Sequence, residues 1–383
     1  MIFTREQLEE IEKKSLAPYG ARSQDSLGRE YPSNEPNYRT IFQRDRDRIL
    51  HTTAFRRLEY KTQVFINYAG DYFRTRLTHT LEVAQIGRTL AKALGANQDL
   101  IETICLAHDL GHSPFGHSGE VALNRLMKDH NGFEHNKQSH RIVTKLEKRY
   151  PDFPGLNLSW EVREGIVKHE TEYDSTDASK YNPELRGQLE AQLANVADEL
   201  AYTTSDLDDG LRSGMINTGM LKGFELWEEI KEKVGWKDQT LTDLDRHQLI
   251  RKLVGMMVSD SVQSISKRLE DAKVQSSLDI QKLDHNVFGF SESMKKSHRE
   301  LKDFLYNNLY RHHRVIRMQT KAENILEDMF NAYIKEPRML PGHYKNLIDD
   351  RGLERTICDY LAGMTDRYAI EEHKKLFNPE TLP

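Results

Sequence analysis

Cysteine and long apolar runs are the two features that this sequence of 383 residues most clearly lacks. The two cysteines, Cys105 and Cys358, are too few for a disulfide framework, so a metal site here has to use histidine and carboxylate ligands. No run approaches the roughly twenty apolar residues that span a bilayer, and the charged start of the chain lacks the apolar centre of a signal peptide. We therefore expect a cytoplasmic protein with no membrane partner.

A strong excess of charge of either sign is also absent. The formal net charge is -5, and clusters that combine basic with aromatic residues are scarce. General attraction to nucleic acid depends on such positive clusters, so the sequence carries no strong nucleic-acid signal. We expect small molecules to be the main partners.

Alternating β-branched runs, the pattern typical of strands, are scarce as well. Apolar residues instead recur at helical spacing through most of the chain, which predicts an almost all-α protein. The predicted helices cover residues 76–95, 98–109, 117–129, 137–149, 160–170, 185–213, 217–233, 245–270, 292–309, 313–335 and 351–368. Residues 18–40, 171–184, 235–245 and 271–291 are predicted to be loops or breaks.

The densest group of reactive side chains lies in residues 108–120, with the sequence HDLGHSPFGHSGE. His108 continues an apolar helical stripe, which carries its imidazole inward, and Gly111 and Pro114 then end the helix. The adjacent Asp109 would also be buried, and a buried carboxylate needs a cation, a metal ion or a dense hydrogen-bond network. Taken alone, such a pair is more often a satisfied core pair than a metal site.

Two further helices supply candidate ligands. His79 lies on the apolar face of the predicted helix 76–95, so its imidazole also points inward. Farther along, Asp198, Tyr202 and Asp206 recur every four residues among small side chains. This pattern is typical of a closely packed helix and equally of a solvated polar face.

Together, His79, His108, Asp109 and Asp198 occur in the order H…HD…D, which resembles the HD-domain superfamily of metal-dependent phosphohydrolases. Over residues 39–369 the chain also resembles the bacterial deoxyguanosine triphosphate triphosphohydrolase and its relatives. The segments that carry this resemblance are RDRDRILH at 44–51, AFRRL at 54–58, KTQVF at 61–65, AHDLGHSPFGHSGE at 107–120, ADELAY at 197–202, DLDDGL at 206–211 and DYLAGMTDRYA at 359–369.

The resemblance implies an all-α fold, namely an HD-domain helical bundle with an appended C-terminal helical region. Because His79 and Asp198 must meet in space, the chain between them belongs to one body. We predict an N-terminal arm or loop at 1–40, an HD-type metal phosphohydrolase core at 41–234, and a C-terminal helical region at 235–383 packed on the core.

The resemblance further implies that His79, His108, Asp109 and Asp198 bind a divalent metal ion. Mixed imidazole and oxygen ligands suit Mn²⁺, Fe²⁺, Co²⁺, Zn²⁺ or Ni²⁺ better than Mg²⁺, which prefers oxygen. We expect Mn²⁺, partly because of the family resemblance, with Mg²⁺, Co²⁺, Fe²⁺, Zn²⁺ and Ni²⁺ as alternatives.

His117 and Glu120 are three residues apart and would share one face of a helix that starts after Pro114. A paired imidazole and carboxylate can orient a water molecule and transfer a proton. The resemblance implies that His117 and Glu120 form the catalytic pair and that His112 lies close to the transferred phosphate. The alternative for Glu120 is an electrostatic role at the positive end of the helix dipole.

Four further residues are candidates for substrate binding. Arg76 lies one turn before His79, where a guanidinium can bind phosphate. The resemblance implies that Tyr202 abuts the deoxyribose, that Asp206 accepts a hydrogen bond from a sugar hydroxyl, and that Gln63 reaches the 3′-hydroxyl.

The resemblance implies hydrolysis of deoxynucleoside triphosphates (dNTPs) to deoxynucleoside and inorganic triphosphate, which controls dNTP pools. Alternatives are a 5′-nucleotidase or an alarmone hydrolase with the same metal site, or a noncatalytic nucleotide sensor that has no need of Glu120. Relatives form oligomers and some respond to nucleotides, so we expect a homo-oligomer, a tetramer or a hexamer, and a dNTP effector. The basic run 311–321 is an effector site, a subunit interface or a solvated helix face.

Two residues need an interpretation beyond the family resemblance. Ser205 stands where many relatives have a histidine, so a preference for dGTP does not carry over with the resemblance. His169 follows an apolar helical pattern and is interpreted as a structural or peripheral residue, with an approach to the site as the alternative.

Overall fold

The computed structural model describes residues 2–64, 73–169 and 179–382, and within these ranges it contains eighteen α-helices and no strand. This confirms the predicted all-α fold. The predicted connection 171–184 and the end of the predicted helix 160–170 lie partly outside the described residues. In chain order the helices are α1 (Arg5–Ser15), α2 (Ile41–Leu50), α3 (Thr53–Arg57), α4 (Arg76–Leu94), α5 (Gln98–Ala107), α6 (Gly116–Leu126), α7 (His135–Arg141), α8 (Trp160–Val167), α9 (Leu189–Arg212), α10 (Glu225–Val234), α11 (Asp243–Ala272), α12 (Ser277–Gln281), α13 (Glu292–Leu305), α14 (His313–Lys335), α15 (Gly342–Lys345), α16 (Ile348–Arg351), α17 (Leu353–Ala362) and α18 (Asp366–Phe377).

Local signals set the ends of the helices that lead into the site. Thr75 caps α4 by accepting a backbone N–H with its side chain, and Gly95 ends α4 in the left-handed region at φ 70°. Asn97 caps the start of α5, and a 3-10 turn over His108–Gly111 follows the last residue of that helix. The His-Asp pair therefore lies at a tight helix end. Among the described helices, none is long and apolar enough to cross a bilayer.

Several helices differ from the sequence prediction, including the short helices α3, α15 and α16, which it omits, and α12, which lies in the predicted break 271–291. None of the residues of α1 is fully buried, and a capping box at its start stabilises this helix. The periodic pattern also misses α2, because the buried polar residues Asp45 and Arg48 interrupt its apolar stripe. The stretch 351–368 forms two helices, since Thr365 caps a new start for α18.

The buried apolar side chains form two hydrophobic cores. The first core is built mainly from α2, α4, α5, α8, α9 and α11 and includes Val83, Ile104 and Leu200. The second core is built mainly from α6, α14, α17 and α18 and includes Leu123 and Leu326. The helix α6 belongs to the predicted HD core but packs with the C-terminal helices. The two cores therefore do not coincide with the predicted domains, whose boundaries stay a prediction.

Candidate active site

The four predicted metal ligands meet where three helices of the first core come together. His79 lies on α4, His108 and Asp109 lie in the turn after α5, and Asp198 lies on α9. The Nε2 atom of His79 is 2.9 Å from Asp198 Oδ1, and the Nε2 atom of His108 is 3.6 Å from the same oxygen. His79, His108 and Asp109 are almost fully buried and offer ligand atoms within 4.8 Å of one another. We call these four residues the ligand group.

His108 is suited to accept a cation. Its Nδ1 lies 2.6 Å from the carbonyl oxygen of Cys105, an arrangement in which Nδ1–H donates and the lone pair is on Nε2. That Nε2 is buried, has no hydrogen-bond partner within the described ranges, and lies 3.4 Å from Asp109 Oδ1. Burial opposes a charge on His108, but Asp109 and Asp198 outweigh it and raise its pKa to about 9. The pocket therefore attracts positive charge, which a proton or a divalent metal ion can supply.

His169 lies against the ligand group, so it is not peripheral, and the alternative that it approaches the site agrees with the structure. Its side chain is almost fully buried, and neither ring nitrogen has a hydrogen-bond partner among the residues that the structure describes. Its Nε2 is 3.5 Å from Asp198 Oδ2, and its ring centroid is 5.3 Å from that of His108. The residue follows α8 just after the helix ends, so helical periodicity gives no measure of where its side chain points.

The other reactive residues of the histidine-rich segment form a second group. The Nε2 atom of His112 is 3.0 Å from Asp109 Oδ1, and its ring stacks on the ring of His135 with centroids 3.9 Å apart. His135 donates its backbone N–H to Glu120 at 2.7 Å, and its Nδ1 lies 2.9 Å from the same oxygen. His117 Nδ1 is 3.8 Å from the other oxygen of Glu120, and the His117 side chain is 79% exposed. We call His112, His117, Glu120 and His135 the histidine-glutamate group.

Burial and neighbouring charges set the protonation of this second group. Burial, together with the positive charges of Arg76 and His135, lowers the pKa of His112 to about 3, so His112 is neutral at pH 7. Burial alone would raise the pKa of Glu120, but His135 and His117 hold that pKa well below its usual range. Glu120 is therefore an ionised acceptor between imidazoles.

Sequence patterns do not reveal His135. It is the first residue of α7, directly after the N-cap residue Glu134, and its partner Glu120 is fifteen positions away in the chain. Periodicity is weakest at the first position of a short helix, so no apolar stripe marks this side chain. The only local signal is a histidine that directly follows a capping carboxylate.

Two of the predicted substrate-binding residues have buried polar atoms without a partner among the described residues. Arg76 contacts the ligand group, and Gln63 lies near the end of the first described range. Arg76 is buried and donates to Asp109 Oδ2 at 2.9 Å, so it pairs with a predicted metal ligand. Its buried Nε has no partner among the described residues and remains a donor for a ligand. Gln63 has a buried side-chain oxygen that also lacks a partner within the described ranges. Both side chains thus keep hydrogen-bonding capacity.

The other two predicted substrate-binding residues lie farther along α9. Asp206 accepts a hydrogen bond from the hydroxyl of Tyr310, and the ring of Tyr310 lies 5.9 Å from that of Tyr202. Burial raises the pKa of Asp206 to about 8, so this carboxyl is largely neutral at pH 7. Tyr310 is absent from the sequence prediction because it lies in a π-helical turn after α13, remote from every motif.

Comparison with family models places this site in a known class. The HD domain model matches residues 76–203, which contain the whole ligand group, and the phosphohydrolase-associated domain model matches residues 288–375. The chain is therefore an HD-domain protein, and its buried histidines and aspartates are of the kind that hold a divalent metal ion in such domains.

Curated relatives define the family more closely. The deoxyguanosinetriphosphate triphosphohydrolase-like protein of Geobacter metallireducens is 49% identical over 374 residues, which cover 96% of each chain. The proteins of the same description from Geobacter sulfurreducens and Leptospira interrogans are 49% and 46% identical and each cover 98% of this chain. A hypothetical protein from Aquifex aeolicus, solved by crystallography, is a more distant match, with a TM-score of 0.40 and 18% identity over 87% of this chain and 71% of that one. The chain belongs to the deoxyguanosinetriphosphate triphosphohydrolase-like family and is a hydrolase, which confirms the resemblance seen in the sequence.

Proposed function

We propose that this protein hydrolyses deoxynucleoside triphosphates to deoxynucleoside and inorganic triphosphate, and that it thereby controls dNTP pools. The observation that carries the proposal is the buried ligand group, in which the His108 Nε2 faces the carboxylates of Asp109 and Asp198. The relatives described as deoxyguanosinetriphosphate triphosphohydrolase-like support the same reaction.

We propose that His79, His108, Asp109 and Asp198 hold a divalent metal ion, with Mn²⁺ as the first choice for a mixed imidazole and carboxylate set. When bound, such an ion polarises a phosphoryl oxygen and lowers the pKa of water. The protein prepares the ligands beforehand: the Cys105 carbonyl orients His108, and the Arg76 guanidinium holds Asp109.

The histidine-glutamate group supplies the proton transfer. Attack of water on the α-phosphorus forms a phosphorus–oxygen bond and releases a proton from that water, and it breaks the bond to the 5′-oxygen, which must then gain a proton. His117 is exposed and lies beside the ionised Glu120, which stabilises a protonated imidazole that can give up this proton. His135 holds Glu120 through two contacts, and His112 connects His135 with Asp109 near the expected phosphate position.

Substrate selection follows from the residues around the ligand group. Arg76 provides positive charge for a phosphate, and Gln63 provides an amide for the 3′-hydroxyl. Asp206, with a pKa of about 8, can both donate and accept a hydrogen bond at a sugar hydroxyl. Tyr202 fills space at the 2′ carbon and so favours deoxyribose over ribose.

We also propose a cytoplasmic homo-oligomer, a tetramer or a hexamer, that responds to a dNTP effector. Arg311, Arg314 and Arg317 are exposed in and just before α14, where phosphates or a partner subunit can reach them. Light scattering of the protein with and without dNTPs tests this part. A mass equal to one chain under both conditions would contradict it and favour a solvated helix face.

Product analysis tests the main proposal. The protein is incubated with each of the four dNTPs, singly and mixed, in the presence of Mn²⁺, and the products are separated by ion-exchange chromatography. We expect deoxynucleoside and intact triphosphate, with faster turnover in mixtures if an effector acts. Release of pyrophosphate or orthophosphate, or hydrolysis confined to monophosphates or alarmones, would contradict the proposal.

A further inference from the structure

A buried carboxylate of the C-terminal region holds the histidine-rich loop. Asp366, the first residue of α18, is only 2% exposed. One of its oxygens accepts the backbone N–H of Phe115 at 2.8 Å. The other oxygen accepts the backbone N–H of Thr62 at 2.8 Å and also the Thr62 hydroxyl. A single side chain therefore satisfies donors from two segments that border the site.

A buried amine makes a second connection beside the first. Lys61 is 3% exposed, and its Nζ donates to the backbone carbonyls of His112 and Ala362, the latter at 3.1 Å. The carbonyl of Lys61 accepts the backbone N–H of Arg76 at 3.1 Å, at the start of α4. Lys61 thus joins the loop, the end of α17 and the start of a ligand-bearing helix.

The loop needs support from outside because its own backbone is unfavourable. Phe115 adopts the left-handed region at φ 64°, which residues other than glycine rarely adopt, and Gly116 follows at φ 59°. No side chain caps the start of α6. These two conformations direct the helix that carries His117 and Glu120, so whatever holds Phe115 also sets the position of that pair.

The contacts of α6 point to the same support. Its buried face packs into the second core, which brings Leu123 together with Leu326 of α14 and Leu361 of α17. The ligand group instead lies among helices of the first core. Removing the Asp366 contacts with Phe115 and Thr62 should therefore affect the histidine-glutamate group and spare the metal ligands.

We propose that Asp366 is a positioning residue, which fixes loop 112–116 beside the Lys61 contacts so that His117 and Glu120 face the substrate. The catalytic consequence rests on the proposed function, whereas the effect on the loop does not. A purely structural role would lower the stability of the whole chain. A positioning role loosens residues 112–120 and lowers kcat while metal affinity stays unchanged.

Asp366→Asn tests the contacts of Asp366 with Phe115 and Thr62 directly. An asparagine has one acceptor oxygen in place of two, so its NH₂ group must face the N–H of either Phe115 or Thr62. Thr62→Val is the milder variant, because it removes only the hydroxyl donor. Tyr333→Phe is the matched control, since it removes a hydrogen bond to Glu372 next to the second core without touching the loop.

Three measurements on the full-length chain separate the alternatives: amide hydrogen exchange by mass spectrometry, Mn²⁺ affinity by calorimetry, and kcat and KM for each dNTP. For Asp366→Asn we expect the exchange rate of residues 112–120 to rise by about tenfold to a hundredfold and kcat to fall by a similar factor. KM and Mn²⁺ affinity should stay within about twofold of the parent protein. Thr62→Val should shift exchange and kcat in the same direction by less. Tyr333→Phe should leave residues 112–120 unchanged.

Unchanged exchange in 112–120, or an equal rise along the whole chain, would overturn the proposal. A loss of Mn²⁺ affinity equal to the loss of kcat would also overturn it, because the effect would then not be confined to the histidine-glutamate group. If the parent protein hydrolyses no dNTP, the proposed function fails, and the exchange and affinity measurements still decide whether Asp366 positions the loop.

Discussion

The two groups of reactive residues differ in how the fold holds them. The ligand group lies on α4, on α9 and in the 3-10 turn directly after α5, so helices of the first core hold all of its members. The histidine-glutamate group lies on α6, α7 and a loop with two left-handed residues, and it depends on the second core and on Asp366. One site thus combines a part whose members lie on, or directly after, helices of one core with a part that needs a loop held by the C-terminal region.

The largest effect should come from removing a ligand. Asp198→Ala takes away the carboxylate that His79, His108 and His169 all face, so we expect loss of bound metal and of turnover to background. Metal analysis after dialysis and a dNTP hydrolysis assay check this. Glu199→Ala is the matched control, because its carboxylate bonds to Lys302. Retention of metal by Asp198→Ala would show that Asp198 is not a metal ligand.

A smaller but selective effect is expected in the second group. Glu120→Gln keeps the shape of the side chain and removes the charge that stabilises protonated imidazoles, so kcat should fall about 10²-fold to 10⁴-fold. Mn²⁺ affinity, measured by calorimetry, should stay at the level of the parent protein. A parallel loss of affinity would break the comparison, since the two groups would then act as one unit.

A weaker effect should define the boundary of the ligand group. His169→Phe removes the imidazole that faces Asp198 and should weaken Mn²⁺ binding by about tenfold to a hundredfold, as is usual for residues that orient a ligand. His169→Gln can place an N–H near the position of Nε2 and should restore much of the affinity. Equal losses in both variants would instead indicate that His169 binds the metal itself.

The smallest effect concerns the pH dependence of stability at Asp206. Burial raises its pKa from 3.8 to about 8, so the folded state keeps a proton that the unfolded state releases. The free energy of unfolding should therefore fall as the pH rises from about 4 to about 8. Asp206→Asn imitates the neutral form and should flatten this fall in denaturant titrations across that range. Tyr310→Phe removes the donor to the carboxylate and should extend the fall to higher pH. Equal slopes in the parent and Asp206→Asn would contradict the expectation.

The same division explains what the sequence could predict. His79 and His108 lie on apolar helical stripes, so their burial follows from spacing alone, and the pairing of His117 with Glu120 follows from a separation of three. His135 and Tyr310 enter the site through contacts between distant segments, which no periodic pattern encodes.

His169 and α1 show two further reasons for a missed feature. His169 lies just beyond a helix end, where direction is set by packing, and its contact with Asp198 depends on how α8 and α9 meet. In α1 no residue is fully buried, so its capping residues mark it more clearly than any apolar stripe. Periodicity therefore predicts buried helix faces well and predicts residues at helix ends poorly.

The bond between Phe115 and Asp366 also has a consequence for synthesis of the protein. The two residues are 251 positions apart in the chain, whereas all members of the ligand group precede residue 199. At ordinary rates of translation, the ribosome needs about 10 to 50 s to make the intervening stretch. A nascent chain therefore acquires the proposed metal ligands first, and the loop before His117 and Glu120 gains its bond to Asp366 only after 251 residues beyond Phe115 have been added.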